Sequence, residues 1–245
     1  MIYEGAQFYD DPQVFETYQR HRQRPENPND TLEKPIIVEL LGNVRGANIL
    51  DLGCGDAAVG AELLANGAAS YLGLDGSRNM VESAVRFLGG TLGRVVEADI
   101  PSWTYPQNNF DIVLSRLALH YIEDLDQVFQ RVFYTLRPEG RFIFSVEHPV
   151  ITSCDAAWQG VGPRQEWTVD HYFEVGQRVT NWLGQRVVKY HRTIEDYFLA
   201  LQHVGFVVDS LRESRPEPKW FTEEDTYERR KRIPLFLFLA ASKAG

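Results

Sequence analysis

Cysteine is nearly absent: Cys54 and Cys154 are the two in 245 residues. Two thiols exclude a disulfide framework, and no cluster of His, Cys and carboxylates has zinc spacing, so no metal is expected. Long apolar runs are also missing. The longest, IPLFLFLAA at 233–241, is about half of the roughly 20 residues that a membrane helix needs. The start, MIYEGAQFYDD, has no basic segment leading into an apolar one, so it does not read as a signal peptide. A reducing, soluble, cytoplasmic setting is expected. Positive charge is scarce too, with 25 Lys and Arg against 34 Asp and Glu and a net charge of −9. Neutralising a polyanion needs clustered Lys and Arg, so nucleic acid is not an expected partner, and with the longest apolar run so short neither is a membrane. What remains is an ordinary globular composition, 44% hydrophobic and 24% charged, which rules out collagen-like, disordered and coiled-coil chains. The length lies near the ceiling for one core, roughly 250–300 residues, so a single domain with an embellishment is expected.

Strand-like and helix-like segments alternate, as in a parallel sheet covered by helices. Strands are predicted at 48–53, 70–75, 94–98, 110–115, 141–146, 206–210 and 235–241, the last two pairing at one edge. Helices are predicted at 57–66, at 79–88 with Ser77 as N-cap, at 125–136 up to the Arg137-Pro138-Glu139-Gly140 stop, and at 194–204 up to Gly205. Two stretches break the alternation. Residues 1–30 are polar and aromatic with a basic run at 20–24. Residues 148–191 hold Trp158, Trp167 and Trp182, and 178–190 reads as a hairpin turning at Leu183-Gly184-Gln185. An insertion after the fifth strand sits at the carboxyl edge of the sheet, where open α/β folds bind ligands, so both stretches read as a lid over that edge.

The most informative string is ILDLGCGDAAVG at 49–60. Glycines between a strand and a helix let the backbone turn tightly and approach a ligand. The string also satisfies G-x-G-x-x-A, and Asp75, about 20 residues on, stands where ribose hydroxyls are held by either of two ligand types. Two carboxylates argue against a dinucleotide. Its pyrophosphate would sit on the helix N-terminus, where Asp56 itself caps, as a plain N-cap or as a ligand contact, and Asp51 stands two residues before the first glycine. A ligand presenting an ammonium group gains from the same charges. S-adenosylmethionine has an adenosine, a sulfonium and an ammonium, and no phosphate.

Residues 48–147 resemble the class I S-adenosylmethionine-dependent methyltransferases, most specifically in ILDLGCG, GLDGSRNM and EADI. The resemblance implies a Rossmann-like doubly wound α/β fold with a seven-stranded sheet, an N-terminal helical cover (1–45), a cofactor-binding core (46–147), an inserted lid after strand five (148–191) and a C-terminal part of the core (192–245). It implies S-adenosylmethionine as cofactor and S-adenosylhomocysteine as product. The loop of Asp51, Gly53 and Gly55 is set against the methionine part. Asp75, followed by Gly76 and Ser77, is set at the ribose hydroxyls, Met80 against the adenine, and Asp99 with the Ile100 backbone at the adenine edge. LSRLALHYI (114–122), which includes Ser115, closes the methionine end. Met80 at helical spacing with Val81, Ala84 and Val85 also reads as core, and Cys54 as small filler. RHRQRPENPNDTLEKP at 20–35, with EHP at 147–149 and YHRT at 190–193, resembles a bacterial subgroup of small-molecule methyltransferases. This implies Tyr18 and Arg22, with Asn27 or Asn29, near the cofactor carboxylate or the substrate. Read from the residues alone, that stretch is a basic turn with Asp30 and Glu33 capping a helix.

Methyl transfer from a sulfonium needs mainly positioning and exclusion of water, plus a base where the acceptor must lose a proton. His120 and His148, each following a strand at the expected edge, are the candidate catalytic residues, either of which also reads as a core or surface histidine. Glu147 reads as a carboxylate bonding backbone N–H groups before Pro149, and His191 as a pin for the insertion. Methyltransferases directed at nucleic-acid amino groups carry N-P-P-[YF] after the fourth strand, where this chain has Ser115-Arg116-Leu117-Ala118. The expected substrate is therefore a small molecule, flat or cyclic given Tyr172, Phe173 and Trp182, methylated on oxygen or nitrogen by a monomer or homodimer. The competing readings are a non-catalytic cofactor-binding regulator and a nicotinamide-dependent oxidoreductase.

Overall fold

In the computed structural model, residues 2–154 and 166–245 are described; Trp158 lies outside them. The chain opens with β1 (Ile2–Tyr3), α1 (Pro12–Arg22) and α2 (Lys34–Leu41). It then alternates through β2 (Asn48–Leu52), α3 (Ala58–Ala65), β3 (Ser70–Asp75), α4 (Arg78–Leu88), β4 (Gly93–Glu97), β5 (Phe110–Arg116), α5 (Leu125–Thr135) and β6 (Leu136–Glu147). A short α6 (Pro149–Thr152) and the hairpin of β7 (Gly176–Trp182) and β8 (Gln185–His191) follow. The chain closes with α7 (Ile194–Val204), β9 (Phe206–Glu213), α8 (Glu224–Arg230) and β10 (Phe236–Lys243).

Seven strands form the main sheet in the order β4-β3-β2-β5-β6-β10-β9, parallel except for β10, which runs against both neighbours. The central strands are buried on both faces, so they read as unbroken apolar runs. Alternate side chains serve opposite layers. Leu50, Val113, Phe142 and Phe144 pack with α5 and α7, while Ile49, Ile112, Leu114 and Ile143 pack with α2, α3 and α4. Local chemistry sets the helix ends. The Ser77 hydroxyl accepts the Met80 N–H, and Thr193 with Asp196 makes a capping box on α7. Connectivity reverses direction between β2 and β5, which opens a crevice at their carboxyl ends.

Three details depart from the sequence reading. The helix α5 ends at Thr135, and the stretch expected only to stop it belongs to β6, where the register steps from Phe110↔Leu136 to Ile112↔Arg141. Residues 137–140 bulge there, with Pro138 needing no ladder donor. The helix α3 starts at Ala58, one residue late. The third departure concerns the two irregular stretches. They join in a second sheet, β1-β8-β7, in which Ile2 and Tyr3 pair in parallel with Arg186 and Val187. The β7–β8 turn has two residues, Leu183 at φ 51° and Gly184 at φ 83°, the geometry that suits a twisted hairpin. Phe8, Val14 and Val187 form the small core beneath this sheet. No helix among the described residues is long and apolar enough to cross a membrane.

Candidate functional site

The carboxyl ends of β2, β3, β5 and β6 open into a cavity of about 1370 Å³, walled on the other side by residues of α1, β8 and the end of α8. Gly53, Gly55, Asp75, Gly76 and Met80 line one wall, continued by Asp99 and Ile100. Tyr18 and Arg22 face it from α1. Gly53 is fixed by contact: at φ +76°, a Cβ there would lie 2.4 Å from the Ala118 Cβ. Only glycine lets the loop after β2 lie against the segment after β5.

Asp75 ends β3 with its carboxylate turned toward this loop. Oδ2 accepts the Gly55 N–H and Oδ1 the Ser77 N–H, each at 2.9 Å. Burial raises its pKa to about 6, with those two N–H bonds pulling the other way.

Asp51, Ser77 and Ser115 do not line the cavity, contrary to expectation. Asp51 turns behind the loop, where Oδ2 accepts the Tyr71 hydroxyl at 2.7 Å and buried Oδ1 has no partner among the described residues. Ser77 caps α4 and donates to Asp10 Oδ1 at 2.7 Å, and Ser115 donates to the Leu52 carbonyl at 2.8 Å. All three are interior supports of the wall. Asp56 Oδ1 accepts the Ala58 N–H at 3.1 Å, so the α3 terminus already carries an anion of its own where a pyrophosphate would need the donors.

Glu33 is not a helix cap. It is fully buried and receives the Arg116 guanidinium, with Nε 3.0 Å from Oε1, Nη2 on Oε2, and the Ser145 hydroxyl 2.7 Å from Oε1. Ser145 Oγ and its carbonyl in turn accept the Leu117 N–H, so this cluster fixes the turn after β5. Arg22 is held by Asn27 Oδ1 at 2.7 Å and Asp30 at 3.1 Å.

Farther along the cavity stand His120 and Glu147. His120 Nδ1 accepts the Glu147 N–H at 3.3 Å. Burial is the main force that pushes its pKa down to about 4. A neutral ring whose Nδ1 is an acceptor carries its proton on Nε2, so His120 is a donor rather than a base. Glu147 does not bond N–H groups before Pro149; its Oε1 takes Lys189 Nζ at 2.6 Å. Burial works to raise the Glu147 pKa, but Lys189 outweighs it and holds the carboxyl below its ordinary value. Lys189 is itself buried, with Nζ 5.4 Å from the Trp182 ring and 5.7 Å from that of Tyr121. Lys189 carried no motif in the sequence, and Arg116 drew no role of its own within LSRLALHYI; strand register brings both to the site.

His148 does not reach the cavity. Its Nδ1 accepts the Val150 N–H at 3.2 Å, and Nε2 meets Glu213 Oε1 at 2.9 Å. His191 pins the insertion, with Thr152 Oγ1 on Nδ1 at 2.7 Å and the Tyr172 carbonyl on Nε2 at 2.9 Å. Of the aromatic trio, Trp182 lines the cavity, Tyr172 packs on His191, and Phe173 is 84% exposed.

The profile of the methyltransferase-domain family matches residues 50–144. A solved S-adenosylmethionine-dependent methyltransferase from Mesorhizobium loti is 34% identical, with 86% of this chain and 97% of that one covered and a TM-score of 0.80. A solved structure from Listeria monocytogenes is 32% identical over 87% of this chain and 97% of its own, at a TM-score of 0.81. The chain is also 34% identical to an uncharacterised Haemophilus influenzae protein, over 96% of each. The chain belongs to the S-adenosylmethionine-dependent methyltransferases. When bound, the cofactor supplies a methyl group already activated on sulfur. Its diol and ammonium groups suit a wall with the buried Asp75 carboxylate and a helix terminus already engaged by Asp56. The methyltransferase holds no cluster of metal-ligating side chains among its described residues.

Proposed function

We propose that the methyltransferase methylates an oxygen or nitrogen of a small, flat or cyclic molecule seated beside Glu147 and Trp182, with the described parts of 1–30 and 148–191 forming the lid. The supporting observation is the Glu147 carboxylate. It faces the cavity, is kept ionised by Lys189 and stands next to a histidine that can only donate. In this reading Glu147 accepts the proton of the acceptor's O–H or N–H, while His120 Nε2–H orients it. Gly53, Gly55, Tyr18 and Arg22 hold the methionine part of the cofactor, Asp75 its ribose, and Met80, Asp99 and Ile100 its adenine. Assay of S-adenosylhomocysteine release against phenols, amines and hydroxylated heterocycles tests this. Turnover with such compounds supports it, and turnover confined to protein or nucleic acid refutes it.

Glu147→Gln keeps an oxygen for Lys189 but removes the charge. Turnover is expected to fall about 100-fold, the scale of a lost general base, with cofactor affinity within about twofold of wild type. Unchanged turnover contradicts the role. Cofactor affinity is also expected to depend on pH through Asp75. The folded-state pKa of about 6 lies above the ordinary 3.8, so ionised Asp75 costs stability above pH 6 and that cost disappears as pH falls toward 4. Cofactor hydroxyls favour the ionised form, so affinity should decline, by up to about tenfold per unit, as pH drops below 6. Calorimetry showing a flat affinity from pH 7 to 5 contradicts the assignment.

A further inference from the structure

The acidic chain concentrates arginines at one place on the cavity rim, where Arg229, Arg230 and Arg232 close α8 and the turn after it. Four arginines elsewhere on the surface, Arg20, Arg78, Arg137 and Arg212, each reach a carboxylate. Within the same basic run, Lys231 pairs with Glu228 at 2.8 Å and does not line the cavity. Among the described residues, Arg229 and Arg232 have no carboxylate within ion-pair distance. The other cavity arginines are committed, Arg116 to Glu33 and Arg22 to Asp30.

The rim is continuous with the Glu147 end. Arg230 acts on His21, which burial and its arginine neighbours keep below its ordinary pKa. The His21 ring lies 5.6 Å from Trp182, edge on, and Trp182 lies beside Lys189, the partner of Glu147. Guanidinium groups offer planar forks of donors that match carboxylate and phosphate oxygens. The lining also carries carboxylates, among them Asp75, Asp99, Glu123 and Glu147, so the positive charge is local to the arginine rim, where it draws anionic groups.

We propose that the acceptor carries an anionic group, a carboxylate or a phosphate, which Arg229 and Arg232 receive at the rim while the methylated atom lies beside Glu147; this rests on the cavity being the acceptor site. The ligand is bipolar, with its anion at one end and its O–H or N–H at the other, and the aromatic wall of His21 and Trp182 between them.

The test titrates the protein saturated with S-adenosylhomocysteine against benzoate, phenyl phosphate and the uncharged match benzamide, at constant ionic strength. At least one anion should bind about tenfold more tightly than benzamide, the scale of one good charge-assisted contact. The R229Q/R232Q double variant should lose that preference and keep its affinity for S-adenosylhomocysteine. The ranking of benzoate and phenyl phosphate names the group. Equal binding of anions and benzamide, no binding of any probe, or a preference that survives in the double variant overturns the proposal. Failure of the wild type to bind S-adenosylhomocysteine overturns the reading of the cavity on which it rests.

Discussion

Replacing Glu33 with alanine should destabilise the fold by about 3–5 kcal/mol, because it strands a charge that is buried with its partner. Glu33 has no solvent exposure, and the Arg116 side chain is 17% exposed. The guanidinium would lose its carboxylate and keep only its slight exposure at the cavity wall, and the Ser145 hydroxyl would lose its acceptor. At roughly 2–4 °C per kcal/mol for a chain of this size, the melting temperature should fall by about 10 °C. Glu33→Gln, which leaves one acceptor for Ser145, should lose less. Thermal unfolding of both variants measures this, and a loss under about 1 kcal/mol for the alanine variant, the scale of an exposed ion pair, would mean that the pair contributes as a surface pair does. Because the same cluster fixes Leu117 and the turn lying against Gly53, cofactor affinity should fall along with stability.

The second large effect concerns Asp75. Asp75→Ala removes an acceptor for two backbone N–H groups and, in the proposed complex, for two hydroxyls. A charge-assisted bond contributes about 1.5–3 kcal/mol, so cofactor affinity should drop about 10- to 150-fold. Stability should change far less, since the carboxylate is destabilised by burial, as its pKa of about 6 records. Asp75→Asn, with one acceptor oxygen instead of two, should fall between. Calorimetric titration with S-adenosylhomocysteine decides it, and an alanine variant binding within threefold of wild type would remove Asp75 from the cofactor site.

Much of this was legible in the sequence because it is local. ILDLG reads as a buried strand running into a tight turn, and Ser77 and Gly205 mark helix ends by their own chemistry. Asp75 follows from its place at the end of a strand beside the glycine loop. What was not legible depends on register between distant segments. Nothing in IY at the start points to RV at 186–187, yet that pairing builds the second sheet. Glu33 looked like a cap because a carboxylate near a helix start usually is one; Arg116, 83 residues away, makes it a buried ion-pair partner. His148 looked like a base from its place after a strand, whereas rotation at the start of α6 turns both ring nitrogens to Val150 and Glu213. Its neighbour Glu147 points into the cavity instead, and Lys189, from the insertion, determines its charge.

In the proposed complex, cofactor and acceptor meet in the same cavity, with the reacting end at Glu147. A crystal structure of the S-adenosylhomocysteine complex tests it most directly. The ribose is expected on Asp75, the adenine between Met80 and Asp99, and the sulfur opening onto the chamber bounded by His120, Glu147 and Trp182. A sulfur directed away from that chamber, or a cofactor seated away from the glycine loop, would contradict it.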